Sequence, residues 1–109
     1  MIVSGGENIY PAEVEAALYS HPAVRELAVV GVPDPYWGET PKAYVAVKSG
    51  ANLTLEDLRS YGASRLAKYK LPRLIEIVPE LPRTASGKVL KRELRLRHSS
   101  DESTPAVLQ

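Results

Sequence analysis

The chain has 109 residues, 44% of them hydrophobic and 25% charged, which is the composition and size of one packed soluble domain. A net charge of +1 argues against nucleic-acid binding through bulk charge, and the absence of cysteine excludes disulfides, thiol nucleophiles and cysteine metal sites. No apolar run approaches the ~20 residues of a membrane helix, and Met1-Ile2-Val3 runs straight into Ser4-Gly5-Gly6 with no signal peptide, so a cytoplasmic protein is the default expectation.

Residues 1–10 read as two very short strands around Ser4-Gly5-Gly6-Glu7-Asn8, because paired glycines between apolar residues signal a hairpin. A tight turn alone explains such a pair; so does a ligand chain passing close to a backbone without Cβ atoms. A helix follows over 11–19. Pro11 suits a first turn, Glu13 and Glu15 lie near the positive end, and Val14, Ala17 and Leu18 form an apolar stripe. Pro22 ends it, and His21 before that proline reads as a surface or capping residue. His21 and His98 are far apart and lack nearby partners, so no metal site is expected.

Two strands are expected over 24–32 and 42–48. Their near-continuous apolar runs, Leu27 to Val32 and Tyr44 to Val47, imply cover on parts of both faces. The connection from Pro33 to Pro41 is long for a hairpin and holds Tyr36 and Trp37, which either pin the loop or offer a stacking surface. Thr54, with Asp57 three residues on, predicts a capped helix whose buried side is Leu55, Leu58, Tyr61 and Leu66. Gly62 should weaken that helix by about 1 kcal/mol relative to Ala. The helix ends at Lys68-Tyr69-Lys70-Leu71-Pro72, and a third, half-buried strand is expected over 74–78.

The stretch from Leu81 to Lys88 reads as a turn. Pro82 cannot extend a ladder, Arg83, Thr84 and Ser86 are turn-compatible, and Gly87 frees the backbone next to Lys88. A phosphate-cradling loop is excluded, because Pro82 and Val89 stand where that motif needs Gly and Ser/Thr. Gly-Lys alone is compatible with a plain solvated lysine. Residues 89–97 form a basic amphipathic helix, with six basic residues against Glu93 from Arg83 to Arg97: a solvated face or a phosphate-attracting patch. Residues 99–109 read as a disordered tail. The element order implies an α+β domain over 1–98: a small three-stranded, mostly antiparallel sheet covered by helices, with an N-terminal two-stranded hairpin at one edge and a C-terminal helix.

Taken together, Ser4-Gly5-Gly6-Glu7-Asn8-Ile9-Tyr10-Pro11, Glu13-Val14-Glu15, His21-Pro22, Val30-Gly31-Val32-Pro33-Asp34, Gly38-Glu39, Tyr69-Lys70 and Leu81-Pro82-Arg83-Thr84-Ala85-Ser86-Gly87-Lys88 occur in an order and spacing that resemble the C-terminal domain of adenylate-forming enzymes. The likeness is strongest to the acyl-CoA synthetases of the fatty-acid and aryl-acid branch. It implies a two-step reaction: a carboxylate attacks the α-phosphate of Mg-ATP, and CoA then displaces AMP. It implies a lid that swings over a larger N-terminal domain, which is the expected partner and binds most of the ATP and Mg2+.

By the same resemblance, Lys88 is the adenylation lysine, with Arg83 and Gly87 supporting its loop. Gly5 and Gly6, with Glu7 and Asn8, form the loop of the thioester step, and Trp37 and Tyr69 offer surfaces for CoA. The P-x-x-x-x-G-K pattern ending at Lys88 matches a target of protein acetyltransferases. Such a fragment is expected to be inactive without its N-terminal domain, and the acid it activates is not legible. Two alternatives stand beside this: part of an adenylation domain that loads a carrier protein, and a freestanding binding module.

Overall fold

The structure, a computed structural model, describes residues 1–102, with side chains through Ser99. The chain runs β1 (Ile2–Ser4), β2 (Glu7–Ile9), α1 (Pro11–Leu18), β3 (Val24–Asp34), β4 (Gly38–Val47), α2 (Leu55–Gly62), a 3-10 turn (Lys68–Lys70), β5 (Leu74–Ile77) and α3 (Lys91–Glu102). The α+β class is as expected, but the sheet is larger than three strands. It has five, in the order β2-β1-β4-β3, with β5 also on β4.

The reason lies in the length of β4. Along one edge it pairs antiparallel with β3, from Val24↔Val47 to Asp34↔Gly38. Along the other it takes two partners end to end: β1 at Ser4↔Gly38, then β5 from Lys42↔Leu74 to Val45↔Ile77. Pro41, with no N–H to give, falls in the gap between those two partners. The opening hairpin is therefore joined to the main sheet. The β4–β5 pairing is parallel, as a strand–helix–strand crossover through α2 permits.

The continuous apolar runs do cover two faces. Val29, Ala43 and Val45 pack with Val14, Leu18 and Leu58 beneath α1 and α2. Ala28, Val30, Val32 and Tyr44 face the other way and pack with Val78, Leu81 and Leu94 beneath α3. Tyr44 satisfies its buried hydroxyl by donating to the Leu94 carbonyl at 2.9 Å.

The capping box at Thr54 forms as read: the Asp57 N–H donates to Thr54 Oγ1, and the Thr54 N–H to Asp57 Oδ2, both at 3.1 Å. Gly62 is not merely a weak point. A Cβ there would stand 2.7 Å from Leu71 Cδ2 and 2.8 Å from Leu18 Cδ2, so glycine lets α2 approach α1 closely. Leu66, expected on the helix, lies past its end but is still buried. Helix α3 continues to Glu102, through the position where the domain is expected to stop. Residues 103–109, the rest of the expected tail, lie outside the described residues.

Candidate functional site

Lys88 sits on a turn that holds itself together. The Thr84 N–H donates to the Lys88 carbonyl at 2.8 Å, the Gly87 N–H to the Thr84 carbonyl at 2.9 Å, and the Lys88 N–H to Thr84 Oγ1 at 3.1 Å. Thr84 and Ser86 hydroxyls share a further bond of 2.9 Å. Gly87 takes φ +91, a left-handed conformation that glycine adopts without strain. The base closes through the Arg83↔Val89 bridge and the Leu90 N–H on the Pro82 carbonyl.

Arg83 ties this turn to β3. Its Nη1 donates to the Gly87 carbonyl at 2.7 Å and its Nη2 to Glu26 Oε1 at 2.9 Å. That hydrogen bond from Arg83, aided by its charge and that of Arg25, outweighs partial burial and holds the Glu26 carboxyl below its ordinary value. The Lys88 side chain is exposed, and among the described residues its ammonium has no ion-pair partner. The basic run around it is half neutralised. Arg83 pairs with Glu26, Lys91 with Glu15 and Arg97 with Glu76, whereas Arg92 and Arg95 are exposed with Lys88.

A second constellation gathers at the other end of β3. Gly5 and Gly6, at φ +57 and +84, make the β1–β2 turn, and the Gly5 N–H donates to the Trp37 carbonyl at 2.8 Å. The Trp37 ring lies so close that a Cβ on Gly5 would be 2.6 Å from Cε3. The Arg73 guanidinium stacks over Trp37 at 4.3 Å while donating to Ser4 Oγ and Thr40 Oγ1. Tyr36 meets the indole edge-on at 4.7 Å.

The β3–β4 connection is shorter than the sequence implied. Both strands zip up to Asp34↔Gly38, and Asp34 Oδ1 accepts the N–H groups of Tyr36 and Trp37 at 2.8 Å each. Gly38 closes the loop at φ +87. Trp37 is thus pinned and still 37% exposed. Gly6 has no atom within 4 Å of where its Cβ would be, and Glu7 is exposed beside it.

The structure therefore brings Gly5, Gly6, Glu7 and Trp37 together and keeps Lys88, Arg83 and Gly87 apart from them. Glu26 and Asp34 mark the two ends, eight residues apart on one strand, or about 26 Å. Tyr69 joins neither group. It is half-buried against the α1–α2 core, beside a Lys70 that pairs with Glu13 at 2.9 Å; the hydrogen bond that Lys70 donates to the Glu13 carboxylate raises its pKa.

Sequence reasoning missed Arg73, whose aromatic and hydroxyl partners are remote in the chain. It also missed the polar cluster beneath α3. There the buried Lys42 Nζ bonds Glu76 Oε1 at 3.1 Å and His98 Nδ1 at 2.9 Å. A lysine within an apolar strand was the available signal. Burial alone would raise the Glu76 carboxyl, but hydrogen bonds from Arg97 and Lys42 win and lower it.

Residues 13–88 match the AMP-binding enzyme C-terminal domain family. The chain belongs to that family. This AMP-binding C-terminal domain is 54% identical over 94 residues to the long-chain-fatty-acid–CoA ligase of Bacillus subtilis (strain 168), a match covering 86% of the chain and 17% of that protein. It is 53% identical over 97 residues to a feruloyl-CoA synthase of an Amycolatopsis species, covering 89% of the chain and 20% of that protein.

Among solved structures, a Mycobacterium tuberculosis fatty acyl CoA synthetase superposes with a TM-score of 0.87 at 42% identity, over 93% of the chain and 20% of that protein. The o-succinylbenzoate CoA synthetase of Bacillus subtilis, in complex with its acyl-adenylate intermediate, gives 0.80 at 48% identity, over 86% of the chain and 19% of that protein. The domain spans about a fifth of the length of the curated relatives it matches. Among the described residues no helix is long and apolar enough to cross a membrane.

Proposed function

We propose that this domain is the swinging lid of an acyl-CoA synthetase, and that its two constellations serve the two steps in turn. In the first step a carboxylate oxygen attacks the α-phosphorus of ATP, and the bond to pyrophosphate breaks. Negative charge builds around phosphorus, and Lys88 delivers an ammonium to it. In the second step the sulfur of CoA attacks the acyl carbon, the bond to AMP breaks and the thiol proton is lost. The glycine turn then lines the path of the pantetheine arm, with Gly6 as the open position and Trp37 as an adjoining surface.

The observation that carries this reading is the separation of the two constellations along β3. The β3 residues to which they are tied, Glu26 through Arg83 and Asp34 through Trp37, are about 26 Å apart on one strand, and a rotation of the domain would present each constellation to one reacting centre in turn. The acyl pocket, most ATP contacts and the ligands of Mg2+ belong to the larger N-terminal domain in this account. Among the described residues no group of three His, Asp or Glu side chains is gathered to hold a metal. Acetylation of Lys88 by a protein acetyltransferase would remove its charge and mimic its loss.

The test is to measure the steps separately in the full ligase that carries this domain. Lys88→Ala is expected to slow ATP–pyrophosphate exchange about a hundredfold, the usual scale for one electrostatic stabiliser. Thioester formation from supplied acyl-adenylate should be unchanged. Normal pyrophosphate exchange would refute the role of Lys88.

A further inference from the structure

Both ends of the segment that leads into Lys88 are tied to one carboxylate at the head of β3. Glu26 Oε1 accepts from Arg83 Nη2 at 2.9 Å, and the same guanidinium donates from Nη1 to the Gly87 carbonyl at 2.7 Å. Glu26 Oε2 accepts from Arg25 Nη1 at 2.8 Å, and that guanidinium donates from Nη2 to the Pro79 carbonyl at 2.6 Å. Two arginines thus bridge a single side chain to the carbonyls at either end of residues 79–87. The Glu26 side chain is 17% exposed while those of Arg25 and Arg83 are 47% and 42% exposed, so the carboxylate is the fixed point and the guanidiniums are the arms.

Half-exposed ion pairs contribute little to global stability. What this arrangement does fix is the position of the Gly87 carbonyl, one bond from Lys88, against a strand anchored in both cores. Gly87 has open space around it and a conformation available to it on either side of φ zero. Leu81 and Val89 hold the base of the turn at the core, and Arg83 adds a tie at its tip through the Gly87 carbonyl.

We propose that Glu26 is a positioning residue for Lys88, setting through Arg83 and Arg25 where the ammonium reaches and so governing adenylation and not thioester formation. The proposal rests on the role given to Lys88 above. A loose side chain on a reacting group costs rate steeply, because small misplacements remove most of the benefit of proximity.

Glu26→Gln keeps the shape and removes the charge that both guanidiniums share. In the full ligase it is expected to slow ATP–pyrophosphate exchange about tenfold, to leave thioester formation from supplied acyl-adenylate within about twofold, and to speed hydrogen exchange in the peptide over 84–90. In a Lys88→Ala background it should add no further loss, since a residue acting through Lys88 has nothing left to position. Arg83→Met should reproduce the step-specific loss if the glutamine variant is poorly folded. Equal losses in both steps, additivity with Lys88→Ala, or unchanged hydrogen exchange over 84–90 would overturn the proposal. A Lys88→Ala enzyme that adenylates normally would instead overturn the reading of Lys88 on which it rests.

Discussion

Gly5 and Gly6 are adjacent, both left-handed, and differ in what surrounds them. Placing a Cβ at Gly6 costs only the backbone conformation, about 1–2 kcal/mol. At Gly5 the new carbon would also meet the Trp37 ring at 2.6 Å. Gly5→Ala is therefore expected to destabilise more than Gly6→Ala, by at least about 1 kcal/mol in a urea melt; equal losses would mean that the indole moves aside freely. The paired glycines were legible as a turn from sequence. That one of them exists to seat Trp37 was not, because the contact joins residues 32 positions apart and no local pattern encodes it.

At the scale of elements, local signals did best where the physics is local. The capping box is such a case, and Thr54→Ala should cost about 1 kcal/mol of stability by thermal melt. Gly62 is the opposite case. Helix propensity alone says that Gly62→Ala adds up to ~1 kcal/mol of stability, but Leu18 and Leu71 are both buried where the new methyl would go. We expect a net loss of about 1 kcal/mol by the same melt, as for other overpacked sites; a gain would show that the α1–α2 seam is loose. All five strands were read, but the joining of the opening hairpin to the main sheet escaped for a related reason. Ile2 and Ile9 lie in segments too short to signal their partner. Nor was the parallel β4–β5 pairing read in a sheet expected to be mostly antiparallel, although a strand–helix–strand crossover permits it.

The whole molecule is a five-stranded sheet with helices on both faces, and different ion pairs hold different parts. Glu26 anchors the Lys88 turn to β3, and Glu76 joins β4 to α3 through Lys42 and Arg97. Both carboxyls are held below the ordinary glutamate range. A lowered carboxyl contributes stability that is present above its unfolded pKa and is lost as pH falls through the folded one. Stability should thus decline below about pH 4.5, and Glu76→Gln should flatten that acid limb in melts across pH 3–6; an unchanged limb would remove Glu76 from the account. The order of the motifs in the chain was readable, and with it the family. Their distribution to opposite ends of β3 was not, since the Arg83–Glu26 and Gly5–Trp37 bonds join residues remote in the chain. That distribution is tested most directly by a crossed comparison in the full ligase. The two half-reactions would be timed in Lys88→Ala and in Gly6→Val, which fills the open position of the glycine turn. The account predicts that the first variant loses only adenylation and the second only thioester formation. Two variants that each slow both steps alike would contradict it.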